Sequence, residues 1–207
     1  MNAAAPSPPL APSERADLIT KDMVRWLERA VIGLNLCPFA KGVHAKGQIH
    51  YVVSAATGAE ALAQDLRREL ADLAAAPAEV RDTTLLMAPD CLQDFLEFND
   101  FLGLAEDVLE ELDLDGTLQI ASFHPQFQFA GTDAGDVTNC TNRAPYPTLH
   151  LLREDSIDRA VQAYPEAEAI YERNMKVLEQ LGMPGWQALD VGVSTAATTP
   201  ELQKDPA

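Results

Sequence analysis

Residues 117–153 read TLQIASFHPQFQFAGTDAGDVTNCTNRAPYPTLHLLR. The two ends of this stretch, residues 117–124 and 147–153, are rich in apolar, β-branched and aromatic side chains, which predicts two strands. The segment between them contains Gly, Pro and Asn and no helical pattern, so it cannot supply a crossover helix. We therefore predict that these two strands run antiparallel to each other.

Strands and helices alternate along the rest of the chain. Apolar spacing upstream predicts, in order, a helix over 14–33, strand 48–54, helix 58–76, buried strand 83–88 and helix 89–114. Two further helices are predicted downstream, over 155–164 and 166–181, with a break at Pro165. Such alternation is typical of the α/β class. The sequence thus predicts an α/β (α+β-like) fold, a two-layer sandwich with a mixed sheet of about four strands packed by helices.

The length of 207 residues suits one domain with a sizeable core. Residues 1–12 are rich in Ala and Pro, which predicts a flexible N-terminal tail. Residues 13–193 are expected to form a single globular domain. Residues 194–207 are loose and polar, and we expect a flexible C-terminal tail there.

The charge of the chain is strongly negative. Asp and Glu total 32 against 15 Lys and Arg, a formal net charge of -17, and residues 82–142 contain no Lys or Arg. Proteins that bind nucleic acid neutralise phosphates with clustered cations, which this chain lacks. We therefore expect neither nucleic acid nor a membrane surface as a partner, and no segment has the ~20 apolar residues that span a bilayer.

The cysteines indicate a reducing compartment. The chain has an odd number of cysteines, and they are widely spaced, at Cys37, Cys91 and Cys140. This pattern is unlike a disulfide framework. The N-terminal residues lack the charged start and apolar run of a signal peptide. A cytoplasmic protein with three free thiols is expected.

Residues 125–145, called here the long loop, are the most informative part of the sequence. Loops of this length without regular structure are often functional. If the third strand stays extended past Pro125, side-chain alternation divides it into two faces. The polar face carries Ser122, His124, Gln126 and Gln128, and the other face carries Phe123, Phe127 and Phe129.

Three blocks of sequence carry a resemblance to a known family. They are GLNLCPFA at residues 33–40, FHPQFQF at 123–129 and NCTNRAPYPTLHLLRE at 139–154. Together they resemble the bacterial "domain of unknown function 1415" family over about residues 20–181. The resemblance implies a bacterial cytosolic protein, and it carries over no reaction.

The first functional hypothesis is an enzyme acting on a small, anionic molecule. Cys140 would be the nucleophile, His124 the acid or base, and Arg143 the clamp for a carboxylate or phosphate. Further candidate substrate-binding residues are Asn35, Gln126, Gln128, Asn139 and Asn142. In the structural alternative, Cys140 packs the loop, His124 bonds to backbone, and Arg143 pairs with an acid of the helix near residues 91–113.

Two other hypotheses stay open. Cys37, His124 and Cys140 are a possible ligand set for zinc or another divalent metal, although their spacing is not a standard zinc pattern. Alternatively the protein is a non-catalytic interaction module, in which case Phe127 or Phe129 would be exposed.

Several common reaction classes have no motif in this chain. There is no Gly-rich phosphate loop, serine nucleophile elbow or His-Glu-x-x-His element. The sequence assigns no substrate, reaction, metal content or oligomeric state, and no role to Cys91, His44, His50 or His150. The deciding question is whether Cys37, His124, Cys140 and Arg143 converge on one pocket.

Overall fold

A computed structural model describes residues 10–163 and 169–194 of the chain. The expected break at Pro165 lies outside the described residues, and so do most of the two expected tails. The helices are α1 (Pro12–Trp26), α2 (Ala40–Ala45), α3 (Ala59–Ala75), α4 (Phe95–Glu111), α5 (Glu154–Ala163) and α6 (Ile170–Ala188). A π-helix (Leu27–Ile32) directly continues α1, and a 3-10 helix (Val137–Asn142) lies within the long loop.

The sheet has four strands, β1 (Ile49–Val53), β2 (Thr83–Met87), β3 (Leu118–Phe123) and β4 (Thr148–Arg153). Their spatial order is β1-β2-β4-β3. β1 and β2 are parallel because helix α3 connects them, and β4 is antiparallel to both β2 and β3. The predicted α/β sandwich with a mixed four-stranded sheet is confirmed.

Helices cover both faces of this sheet. On one face, Leu86 and Leu151 pack against α3 and α4, and on the other Leu85 and Met87 pack against α1. All five residues of β2 are buried, and a strand buried on both faces needs cover on both sides. The sheet is therefore covered by helices on both sides.

The first helix ends in an unusual way. Gly33 donates its N–H to the carbonyl of Glu28, five residues back, as in a π-helix. A Cβ at this position would lie 2.3 Å from the carbonyl oxygen of Arg29, so the close approach requires glycine. The short helix α2 then begins at Ala40, two residues after Pro38, in a segment for which no helix was predicted.

Two helices differ in extent from the prediction. α4 begins at Phe95, not at residue 89, because the side chain of Asp94 accepts hydrogen bonds from the N–H groups of Leu96 and Glu97 and caps the helix there. α6 continues beyond the predicted end at residue 181, through a kink at Gly182, to Ala188. Within the described residues, no helix combines the length and the apolar character needed to cross a bilayer.

The long loop connects β3 to β4 at one end of the sheet. Its 3-10 helix begins where the carboxylate of Asp136 accepts from the N–H of Thr138, at 2.8 Å, and packs against α6. The segment after α6 returns to α1 and lies beside the loop. This arrangement brings the middle and the end of the chain together around one surface.

Candidate functional site

His124 is held inside the protein by backbone groups. Its ring is fully buried between Phe95 and Phe98, with ring centroids 5.5 and 5.1 Å away. Nδ1 accepts from the N–H of Gln126 at 3.0 Å, so Nε2 carries the proton and donates to the carbonyl of Leu92 at 3.1 Å. Burial lowers the pKa of His124 and keeps the ring neutral. Both nitrogens are thus engaged, which favours the structural alternative over a general base.

Cys140 has similarly structural surroundings. Only 1% of the residue is exposed, and it packs against Leu36 and Leu178. Burial raises the pKa of the thiol, and the neighbouring guanidinium of Arg143 opposes this only in part. A neutral, buried thiol is a poor nucleophile, so the catalytic roles of Cys140 and His124 stay predictions that this geometry does not favour.

The predicted amide ligands mostly organise the long loop. Asn139 is fully buried, where its side-chain oxygen accepts from the N–H of Phe129 at 2.9 Å and its NH₂ group donates to the carbonyl of Asp133 at 2.9 Å. Two other amides have comparable backbone contacts, since Asn142 donates to the carbonyl of Ser122 and Gln128 donates to that of Thr132. Gln126 is exposed, and Asn35 lies in a turn with a positive φ of 54°. These contacts satisfy loop backbone groups that would otherwise be unpaired.

The three proposed metal ligands do not converge. Cys37 lies after the π-helix, half-buried, and burial raises the pKa of its thiol. Within the described ranges, which include Cys37, His124 and Cys140, no three His, Cys, Asp or Glu side chains are grouped as a metal site requires. These residues therefore do not fit the zinc alternative.

Arg143 belongs to the predicted set of site residues and lines an open cavity. Its Nε donates to the carbonyl of Phe127 at 3.1 Å and one Nη donates to that of Ala134 at 2.7 Å. With the contact to Cys140, these interactions engage at most three of the five N–H donors of a guanidinium.

No carboxylate of the described residues lies within ion-pair distance of Arg143. The pKa of the half-buried Asp136 is lowered first by the hydroxyl of Thr138, and Arg143 is the smallest of the causes. The structural alternative for Arg143, an ion pair with an acid of the helix near residues 91–113, is therefore not found among the described residues.

A cleft of about 260 Å³ opens beside this arginine, and we call it the cleft below. Its walls come from three segments that are distant in sequence: the start of the long loop, the end of the loop, and the chain around and after the last turn of α6. The lining residues are Pro125, Arg143, Ala144, Pro145, Trp186, Val191, Gly192 and Val193. The walls are apolar except for the guanidinium and backbone groups.

The wall formed by Val191–Val193 is fixed to α1 by charged contacts. Arg25 donates from Nε to the carbonyl of Asp190 at 2.8 Å and from an Nη to that of Gly192 at 2.6 Å. Ser194 donates its N–H to the carboxylate of Asp22 at 2.9 Å. The rim of the cleft is therefore positioned by two side chains of the first helix.

Asp22 is the centre of this network and is fully buried. Besides Ser194 it accepts a hydrogen bond from the hydroxyl of Tyr146 at 2.8 Å and pairs with Arg25 at 2.9 Å. The burial of Tyr146 and its bond to this carboxylate raise the pKa of the phenol, which stays protonated. Tyr146 follows Pro145 directly, so the same network supports a second wall.

Sequence reasoning missed Asp22, Arg25, Trp186 and the segment after it. Asp22 lies on the apolar face that Ile19, Met23 and Trp26 form, and a lone acid on such a face is a detectable signal. Trp186 lies beyond the helix end that Gly182 and Pro184 suggested. Its place on the cleft depends on tertiary packing, which sequence periodicity does not encode.

A comparison with protein-family models finds a match over residues 18–188, to the family described as "Protein of unknown function (DUF1415)". The predicted resemblance is confirmed over a slightly longer range. The matched residues include Asp22, Arg143 and Trp186, and end just before the Val191–Val193 wall. Neither the curated proteins nor the solved structures contain a match to this chain.

Proposed function

Because the chain belongs to the DUF1415 family, whose function is unknown, we propose a function from the cleft itself: it binds a small organic anion, with Arg143 on the charged group. The observation that supports this most directly is Arg143 itself, which lines an open cavity and has no carboxylate within ion-pair distance among the described residues. A guanidinium binds carboxylates and phosphates through paired N–H donors. At least two donors of Arg143 are left for such a ligand.

The size and lining of the cleft favour a ligand with an apolar body. Pockets for drug-sized molecules occupy about 300–1,000 Å³, so a cavity of about 260 Å³ suits something smaller. Trp186, Val191 and Val193 offer apolar surface, and few polar groups face the ligand besides Arg143. A carboxylate or phosphate attached to a short aliphatic or aromatic group fits these surroundings.

Electrostatics explains why an anion is taken up by an acidic protein. The net charge of -17 repels anions at long range, but this repulsion is screened beyond about 8 Å at physiological salt. Arg143 is the charged residue among those that line the cleft, and the apolar side chains around it strengthen its field. We therefore expect weak but specific binding that depends on Arg143.

The test is isothermal titration calorimetry with benzoate and with benzamide, which has a similar shape and no charge. We expect benzoate to bind and benzamide to bind at least about tenfold more weakly, which corresponds to about 1.4 kcal/mol. The matched variants are Val193→Asp and Val193→Asn at an exposed position of the cleft wall. Val193→Asp should weaken benzoate binding about fivefold or more, because it places a negative charge beside the ligand.

Val193→Asn has the same shape without the charge and should bind benzoate as the unmodified protein does. Equal affinities for benzoate and benzamide, or equal losses in the two variants, would show that charge recognition plays no part and would refute the proposal.

A further inference from the structure

Four aromatic rings from separate parts of the chain form a continuous surface feature, called here the aromatic strip. Phe95 begins α4, Phe127 and Phe129 lie in the long loop, and Tyr171 lies in the first turn of α6. Successive ring centroids are 5.2, 4.9 and 5.8 Å apart. The three phenylalanine rings are half-buried, and Tyr171 is 51% exposed.

The strip is extended by an exposed aliphatic side chain. Leu96, next to Phe95, is 70% exposed although its helix has a well-buried opposite side. Isolated exposed leucines are common, but this one directly follows Phe95 in sequence, at one end of the contiguous row that the four aromatic rings form. Such patches on a protein surface mark interaction sites.

The charges around the strip are negative. Exposed carboxylates flank each of its segments, namely Asp94, Glu97, Asp100, Asp133 and Glu172. The nearest cations along the chain, Arg143 and Arg173, each donate a hydrogen bond to a backbone carbonyl, those of Phe127 and Asn35 respectively. Residues 82–142, which supply three of the four rings, contain no Lys or Arg.

This combination points to one kind of partner. Aromatic faces attract ammonium and guanidinium groups, and surrounding carboxylates strengthen and steer that attraction. A second copy of this chain would place two acidic surfaces against each other, which is unfavourable. We propose that the aromatic strip is the docking surface for a basic, arginine-containing segment of another protein, a role separate from ligand binding in the cleft.

A fluorescence anisotropy experiment on the full chain tests this surface. The probe is a labelled short peptide of alternating arginine and leucine, and its control has citrulline, which is uncharged, in place of each arginine. We expect the arginine peptide to bind about tenfold more tightly than the citrulline peptide at low salt. Increasing salt should reduce this difference.

Two variants separate the strip from the general acidity of the protein. Tyr171→Ala and Leu96→Ser should each weaken binding of the arginine peptide about fivefold. Val80→Ser changes a similarly exposed apolar residue outside the strip and should leave binding unchanged. Unchanged binding in both strip variants would mean that charge alone attracts the peptide, and would overturn the proposal.

Sedimentation velocity of the unlabelled protein tests whether a second copy of the chain binds to the strip instead. A dimer that Leu96→Ser dissociates would show that the strip pairs with a second copy, and would also overturn the proposal. A monomer in both proteins is the result we expect.

Discussion

At the scale of single residues, Asp22 links the stability of the fold to the shape of the cleft. Its carboxylate is fully buried and receives donors from Arg25, Tyr146 and Ser194. A buried carboxylate is stable only with such compensation. These contacts connect the first helix, the start of β4 and the segment after α6, so one side chain positions two walls of the cleft.

We predict that Asp22→Asn lowers the free energy of unfolding by about 3 kcal/mol. The variant keeps the volume, but it turns one acceptor into a donor that faces other donors and leaves Arg25 without its ion pair. Urea denaturation measures the change. Asp17→Asn on the exposed side of the same helix is the control and should stay within about 0.5 kcal/mol of the parent. A similar small effect for Asp22→Asn would contradict the network as described.

His150 gives a prediction about pH. It lies on β4 opposite Leu85 and Ala121, and burial lowers its pKa to about 4. The unfolded chain therefore binds a proton near pH 6.5 while the folded protein does not. The contribution of His150 to the free energy of unfolding is fully present above about pH 6.5. It falls as the pH decreases toward 4, where the folded ring also protonates.

Between pH 7 and pH 5 the contribution of His150 to the free energy of unfolding should decrease by about 1–2 kcal/mol. Urea denaturation of the parent and of His150→Gln at both pH values isolates it, because the variant lacks the titrating ring. NMR titration of the ring provides a direct check. A midpoint near 6.5 for His150 in the folded protein would show that the ring is not buried as described.

At the scale of secondary-structure elements, the π-helix depends on Gly33. A Cβ there would meet the carbonyl oxygen of Arg29 at 2.3 Å, and backbone cannot move aside as a side-chain tip can. We predict that Gly33→Ala destabilises the protein by about 1–3 kcal/mol. Thermal unfolding followed by circular dichroism measures this effect.

Gly103 provides the opposite case on α4. It is exposed, and a Cβ there would meet nothing within 4 Å. Gly103→Ala should stabilise the protein by about 0.5–1 kcal/mol, because alanine loses less backbone entropy in a helix. Stabilisation by both substitutions would mean that the first helix ends without the close approach at Gly33.

The strands and the longer helices could be predicted from the sequence because their signals are local. β2 is a short apolar run and β3 and β4 alternate in polarity, so their bounds were predicted to within about two residues. The π-helix, α2 and the extension of α6 through Gly182 were missed. A residue that locally disfavours a helix lies at or near each of them: Gly33 directly after the π-helix, Pro38 two residues before α2, and Gly182 within α6.

The candidate site was predicted only in part. The long loop and Arg143 were identified because polar side chains concentrate there. Composition does not distinguish side chains that bind a ligand from those that satisfy the loop's own backbone, and His124, Asn139 and Asn142 belong to the second group. The cleft also needs Trp186 and Val191–Val193, whose position depends on the fold.

At the scale of the whole molecule, charge is the dominant property. With a net charge of -17, the carboxylates repel one another in the compact state. Screening of this repulsion by added salt should therefore stabilise the fold. We predict that the melting temperature rises as NaCl increases from about 10 mM to about 300 mM. The opposite trend would indicate that attractive ion pairs, such as Arg15 with Asp90 at 2.6 Å, outweigh the repulsion.

A charge variant provides a second measure of the same effect. Glu106 is exposed on the acidic helix α4, so Glu106→Lys should raise the melting temperature at low salt more than the neutral Glu106→Gln does. The difference between the two variants should disappear at high salt, because the interactions are screened. A difference that is independent of salt would not be electrostatic.

We propose that the cleft binds a small organic anion through Arg143. The most direct measurement is ¹H–¹⁵N NMR of the full chain during a titration with benzoate up to about 10 mM, a range that detects affinities near 4 kcal/mol. We predict saturable shifts of the Trp186 indole and of the Gly192 and Val193 amides, with Gly103 unmoved, and loss of these shifts in folded Arg143→Gln. Shifts that are absent, that lie elsewhere, or that persist in Arg143→Gln would contradict the claim.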